Sequence, residues 1–315
     1  MGNNKKRILI SDATLRDGNH AVSHQITEQQ IATYCEAADS AGIPIVEVGH
    51  GNGLGGSSLQ VGEAAVNDRT MLTIARKHLK KSRLGIHVIP GFATIERDLK
   101  PAVDYGVDVF RIATHCTEAD ITERHIRFCK MEGKVVFGVL MMSHMVEKEI
   151  LADEARKMQD YGAEGIILMD SAGNYLPNDV KEKVSFLKEN LQVSVGFHAH
   201  NNLGMGIANA QLEVLVAGLD RMGHDTGIDL YKILDASNLA ERELIKEMPA
   251  TRSTSIVSGL AGVFSGYLAP VNRIAKEFDI DPRDLFFELG RQKVVAGQED
   301  FIIEIAAELS RSGKD

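Results

Sequence analysis

The chain has 315 residues, 44% of them hydrophobic and 25% charged, which is enough length and apolar content for a large folded domain and excludes a disordered or fibrous protein. Its net charge of −9, from 44 acidic and 35 basic residues, leaves no field to attract a phosphate backbone or an anionic lipid surface. Nucleic acid and membrane are therefore not expected as partners.

In chain order, the opening MGNNKKRILI lacks the apolar core of a secretion signal, and no run reaches the length of a membrane span. Cys35, Cys116 and Cys129 form no CxxC pair, and their odd number argues against a disulfide framework. A cytoplasmic protein is expected. From there the chain repeats one phrase: an amphipathic helix, a glycine, then a short run rich in valine and isoleucine. Strands are predicted at 7–13, 43–49, 84–89, 107–113, 134–140, 163–169 and 193–198, and helices at 27–40, 68–81, 94–104, 119–131, 146–160 and 178–190. Gly42, Gly106, Gly133 and Gly162 stand where a helix stops and a strand begins. The strands are apolar almost throughout (IPIVEVG, VDVFRIA, GIILMD), as strands covered on both faces should be.

Seven such units in a row predict an α/β fold, a TIM-type (β/α)8 barrel, yet no eighth strand of comparable quality follows the seventh. Two regions are expected: a barrel over 1–223 and a helical C-terminal region over 224–315.

In such a barrel, side chains at the C-terminal ends of the strands converge on one mouth. That places Arg16, Asp17 and His20 after the first strand, His50 after the second, Asp170 and Ser171 after the sixth, and His198, His200 and Asn201 after the seventh. His198 and His200 are two residues apart, so in a strand both imidazoles face the same way. With one carboxylate they make a set that can hold a divalent ion and leave positions open for a substrate oxygen. Arg16 offers fixed positive donors for a carboxylate or an enolate oxygen, and His20 offers an acid or base near neutrality. The bland alternatives are a structural HxH pair and a satisfied loop histidine.

Gly51-Asn52-Gly53-Leu54-Gly55-Gly56 matches the dinucleotide fingerprint G-x-G-x-x-G, but SSLQVGEAAVND after it opens no clean helix and no acidic residue ends a strand about twenty positions on. The stretch reads instead as a flexible glycine-rich wall of the mouth, lined or supported by Glu47 and His50. Cys116, Met141, Met142 and Met169 read as packing residues.

TLRDG at 14–18 and HAHNN at 198–202 resemble the metal-dependent superfamily that includes hydroxymethylglutaryl-CoA lyase and isopropylmalate synthase. RDGNHAVSHQ, GHGNGLGGSS, MDSAG, FHAHNNLGMGIAN, GLDRMG and GRQKVVAGQED, spread over nearly the whole chain, resemble its class II pyruvate aldolases in particular. The resemblance implies Asp17, His198 and His200 as ligands of Mn²⁺, or of Co²⁺ or Mg²⁺. Arg16, Ser171 and His198 would hold the substrate, and Arg16 and His20 would be catalytic, with His20 as the base. It implies retro-aldol cleavage of a 4-hydroxy-2-oxo acid such as 4-hydroxy-2-oxopentanoate to pyruvate and an aldehyde, in aromatic-compound catabolism. An acylating acetaldehyde dehydrogenase, docked on the C-terminal helices, would take the aldehyde. Two other readings stay open: a Claisen-type synthase or lyase using acyl-CoA, and a degenerate, non-catalytic barrel that partners a dehydrogenase.

Three positions depart from the family. Members carry roughly two dozen more residues between the positions of Asn209 and Ala210, including the eighth strand of the barrel. Phe264 stands where the family has a tyrosine, with Tyr267 nearby as a candidate substitute, and Asn52 stands where the family usually has aspartate.

Overall fold

The computed structural model describes residues 6–202, 211–245 and 250–312. Seven parallel strands form one sheet in chain order: β1 (Ser11–Leu15), β2 (Ile45–Val48), β3 (Arg83–Val88), β4 (Val109–His115), β5 (Val135–Met141), β6 (Gly165–Met169) and β7 (Ser194–His198). Helices α1 (Glu28–Ala41), α2 (Asp68–His78), α3 (Lys100–Asp104), α4 (Glu123–Met131), α5 (Lys148–Tyr161) and α6 (Pro177–Asn190) are the crossovers between them. Each crossover returns the chain to the starting end of the sheet, so that the next strand runs in the same direction, as a parallel ladder requires. The helix ends are set locally. Thr27 and Gln30 make a reciprocal capping box at the start of α1, and Gly42 ends it in a left-handed conformation, φ 79°.

Strands β3 to β6 are buried almost throughout, as their apolar runs predict. β1 is placed differently from expectation, at 11–15 rather than 7–13. The apolar RILI run precedes the ladder, and the strand itself is Ser-Asp-Ala-Thr-Leu. Its polar side chains are satisfied from within: Asp12 accepts the Tyr34 hydroxyl at 2.7 Å and the Thr14 hydroxyl at 2.6 Å. A polar strand paid for by an internal network does not show in hydropathy.

The sheet is curled. Laid flat, seven strands would set β1 and β7 about 29 Å apart, whereas Asp17 after β1 lies 3.1 Å from His200 after β7. Among the described residues no eighth strand closes the ladder. In its place Arg7 and Asp225 form an isolated parallel bridge beside the start of β1. The departure expected between Asn209 and Ala210 lies outside the described residues.

After the sheet come α7 (Leu212–Arg221) and α8 (Leu230–Glu243). Ile233, Ala236 and Ala240 of α8 join the core that also buries the strands and α1. Helices α9 (Ser253–Ala261), α10 (Leu268–Phe278), α11 (Pro282–Arg291) and α12 (Asp300–Ser312) enclose a second core built on Tyr267, Val271, Leu285, Phe286 and Ile302. No helix among the described residues is long and apolar enough to cross a membrane.

Candidate metal centre

The turn after β1 and the end of β7 bring three ligand types together. Asp17 Oδ2 lies 3.1 Å from His200 Nε2 and 3.5 Å from His198 Nε2, and ligand atoms of all three residues fall within 4.8 Å of one another. His198 ends β7 and pairs in register with Met169, while His200 lies two residues on, beyond the strand. His200 Nδ1 donates to the Asp170 carbonyl at 2.8 Å. That bond fixes the tautomer and leaves the Nε2 lone pair facing Asp17, the arrangement found for metal-bound histidines. His198 Nε2 is buried and makes no hydrogen bond. A buried nitrogen without a partner beside a carboxylate is what a missing cation would leave, so the residues fit a divalent ion.

Arg16 stands beside this group. Its Nε donates to Glu47 at 2.9 Å, and its Nη1 donates to Asp17 at 3.0 Å and to the Gly51 carbonyl at 3.1 Å. Its Nη2 is buried without a partner. Glu47, on β2, is fully buried and also accepts two bonds from Arg111 Nη1, at 2.9 and 2.8 Å. Arg111 Nη2 in turn lies 3.3 Å from His198 Nδ1. Glu47 thus braces both arginines beside this group. Arg111, in the middle of β4, is the residue that sequence reasoning passed over. Its only signal was an arginine inside the mainly apolar VDVFRIA.

These neighbours set the charges. Burial alone would raise the carboxyl of Asp17, but Arg16 and His200 outweigh it and hold the group well below the usual range. Burial likewise opposes ionisation of Glu47, yet Arg111 and Arg16 bring it down to about 2. Burial pushes His198 down to about 4, so its ring is neutral, whereas Asp17 overcomes burial at His200 and raises it.

His20 lies in the 3-10 turn Asp17–Val22, packed against Gly51, where an added Cβ would come within 2.5 Å of its ring. Burial lowers it to about 4, so the ring is neutral at physiological pH. Ser171 is buried next to the carbonyl that orients His200, and its Oγ accepts Met142 N–H at 3.0 Å.

Other expected residues are placed elsewhere. The Asp170 carboxylate turns from the centre and accepts the backbone N–H groups of Asn174 and Tyr175. His50 serves its own loop: Nε2 donates to the Gly62 carbonyl, and Nδ1 accepts Asn52 N–H. The glycine-rich wall is tightly seated rather than flexible, with Leu54 N–H bonded to the His87 carbonyl. Cys116 is a packed thiol bonded to the Met142 carbonyl. Phe264 packs against the second core, and the Tyr267 hydroxyl is committed to the Val295 carbonyl and to Gln298 N–H, so Tyr267 does not replace the family's tyrosine.

Residues 7–221 match the HMGL-like family, and residues 249–311 match the DmpG-like communication domain. The chain is 59% identical to a 4-hydroxy-2-oxovalerate aldolase of Spirochaeta aurantia and 54% identical to one of Pectobacterium atrosepticum, each over 98% of both chains. Both alignments span 335 positions, at least 20 more than this chain has residues, so both relatives carry internal segments absent here. The fold is similar to the carboxyl transferase domain of Rhizobium etli pyruvate carboxylase, with a TM-score of 0.78 at 14% identity over 98% of this chain. This chain spans 61% of that longer one.

Proposed function

Because the chain belongs to the HMGL-like family, we propose that its metal centre cleaves 4-hydroxy-2-oxopentanoate, also called 4-hydroxy-2-oxovalerate, to pyruvate and acetaldehyde. The protein is a carbon–carbon lyase, a class II pyruvate aldolase. The observation that carries the reading is the meeting of Asp17, His198 and His200 beside an arginine with one buried, unpartnered nitrogen. The acyl-CoA reading would use the same centre and is disfavoured by the relatives, which are named 4-hydroxy-2-oxovalerate aldolases, while the intact ligand set speaks against the non-catalytic reading.

Asp17, His198 and His200 would hold the ion, and two imidazoles with one carboxylate suit Mn²⁺ or Co²⁺ better than Mg²⁺. When bound, it supplies Lewis-acid polarisation of the 2-oxo group. Arg16 Nη2 donates to the oxygen on which the enolate charge develops, and Ser171 orients the pyruvate half. His20 accepts the proton of the C4 hydroxyl, the C3–C4 bond breaks, its electron pair passes into the enolate, and the aldehyde departs. The enolate then takes a proton at C3 from His20 or water, since Phe264 has no hydroxyl and that of Tyr267 is engaged. The buried charges are suited to this path. Arg16 and Arg111 balance Asp17 and Glu47, so these four side chains add no net charge, and the unpartnered Arg16 Nη2 is left to donate to the developing enolate oxygen.

The helices from α9 onward are the proposed seat of an acylating acetaldehyde dehydrogenase, supported by the match to the communication domain. Three buried, unbridged cysteines support a reducing compartment, the cytoplasm. The test is pyruvate release from 4-hydroxy-2-oxopentanoate by the purified protein with Mn²⁺ and with chelator. Release that requires the ion is expected; a protein that binds manganese and releases no pyruvate overturns the assignment.

A further inference from the structure

We infer that Asp17, His198 and His200 are also the clasp of this sheet, so that a bound divalent ion joins β1 to β7 where the backbone does not. The inference rests on the metal reading above. The ladder runs from β1 to β7, and among the described residues no backbone hydrogen bond returns from β7 to β1. In a barrel lacking one strand, ideal spacing would set the two edges about 10 Å apart. Edges of this kind are normally covered or closed.

The two ends of the seam differ. At the N-terminal end, the Asp225 carbonyl accepts Ile8 N–H at 2.9 Å and Asp225 N–H bonds the Lys6 carbonyl at 3.1 Å, so a short segment lies along residues 6–8, just before β1. At the C-terminal end, among the described residues, Asp17 meets His200 and His198 across the seam. Asp17 lies two residues past β1, and His198 is the last residue of β7, so little intervening chain can absorb movement. Both sides are braced. Asp17 is tied through Arg16 and Glu47 to β2 and through Arg111 to β4, and His200 is tied through the Asp170 carbonyl to the end of β6. Ligand bonds to one ion from both sides would connect these two struts, and the free energy of binding would add to that of closure.

The test is hydrogen exchange by mass spectrometry on the whole wild-type protein, with EDTA and with MnCl₂, read separately for 11–15, 194–198 and the central strand 135–141. Exchange in both edge strands should slow by about tenfold with manganese while the central strand is unchanged. Slowing confined to 16–20 and 199–202, or equal in all strands, overturns the clasp. His200→Ala should show no manganese-dependent slowing; if that variant does not fold, the wild-type comparison decides alone. Pyruvate release with unprotected edges overturns the clasp and leaves the aldolase. Edge protection without pyruvate release supports the clasp and overturns the aldolase. A protein that binds no manganese overturns both.

Discussion

At Arg16, two of the three guanidinium nitrogens are spent on structure and the third is free to act. Nε and Nη1 hold Glu47, Asp17 and the Gly51 carbonyl, while Nη2 is buried without a partner. A buried donor kept unsatisfied costs stability unless something else takes it. Arg16→Ala should therefore lower kcat by about 10²- to 10³-fold, the usual effect of removing a donor to a developing oxyanion. Asp17, His198 and His200 remain, so manganese should still bind, as titration calorimetry would show. Cleavage at a near-normal rate would remove Arg16 from the chemistry. The candidate ligand set itself was legible, because two histidines at i and i+2 with an acidic residue after the first strand form a pattern that strand geometry interprets. The buried chain from Arg16 through Glu47 to Arg111 was not. It depends on which strands lie side by side across the barrel interior, information that no single segment carries.

At the scale of elements, the loop after β2 shows what its glycines are for. Gly53 has φ 89°, and a Cβ there would sit 2.3 Å from the His87 carbonyl oxygen, a backbone atom with no side-chain freedom to withdraw. Its neighbours in sequence include the Gly51 carbonyl that accepts from Arg16. Gly53→Ala should destabilise the protein by about 1–3 kcal/mol through strain and displacement, seen as a lower urea midpoint, and should slow cleavage because Arg16 loses its seat. An unchanged midpoint would show that the loop can move aside. The sequence marks this loop as glycine-rich but cannot tell freedom from close approach, since both require the absent Cβ. The strands divide in the same manner. Those from β2 to β7 fall within a few residues of their apolar runs. β1 does not, because Asp12 and Thr14 are satisfied by Tyr34 from α1, a partner twenty residues away.

At the scale of the molecule, the second core is bonded directly to the loops of the site. Ser265 N–H donates to the carbonyl of Ser171 at 2.9 Å, Asn174 Nδ2 donates to the Gly259 carbonyl at 2.7 Å, and His144 Nε2 donates to the Gly262 carbonyl at 3.1 Å. These bonds connect the C-terminal end of α9 and the turn after it to the loops after β5 and β6. The residue proposed to hold pyruvate is thus positioned partly by the region that matches the communication domain. Loss of one such bond to a neutral group costs about 1 kcal/mol, and loss of two about tenfold or more in an equilibrium that depends on both. The double variant His144→Ala, Asn174→Ala should therefore raise KM for the 2-oxo acid by about tenfold with no partner protein present. Manganese affinity should stay unchanged, since neither residue touches Asp17, His198 or His200. An unaltered KM would mean that the strands alone hold the Ser171 loop in place. A loss of manganese affinity would mean that the Asp170 carbonyl, and with it His200, had moved as well.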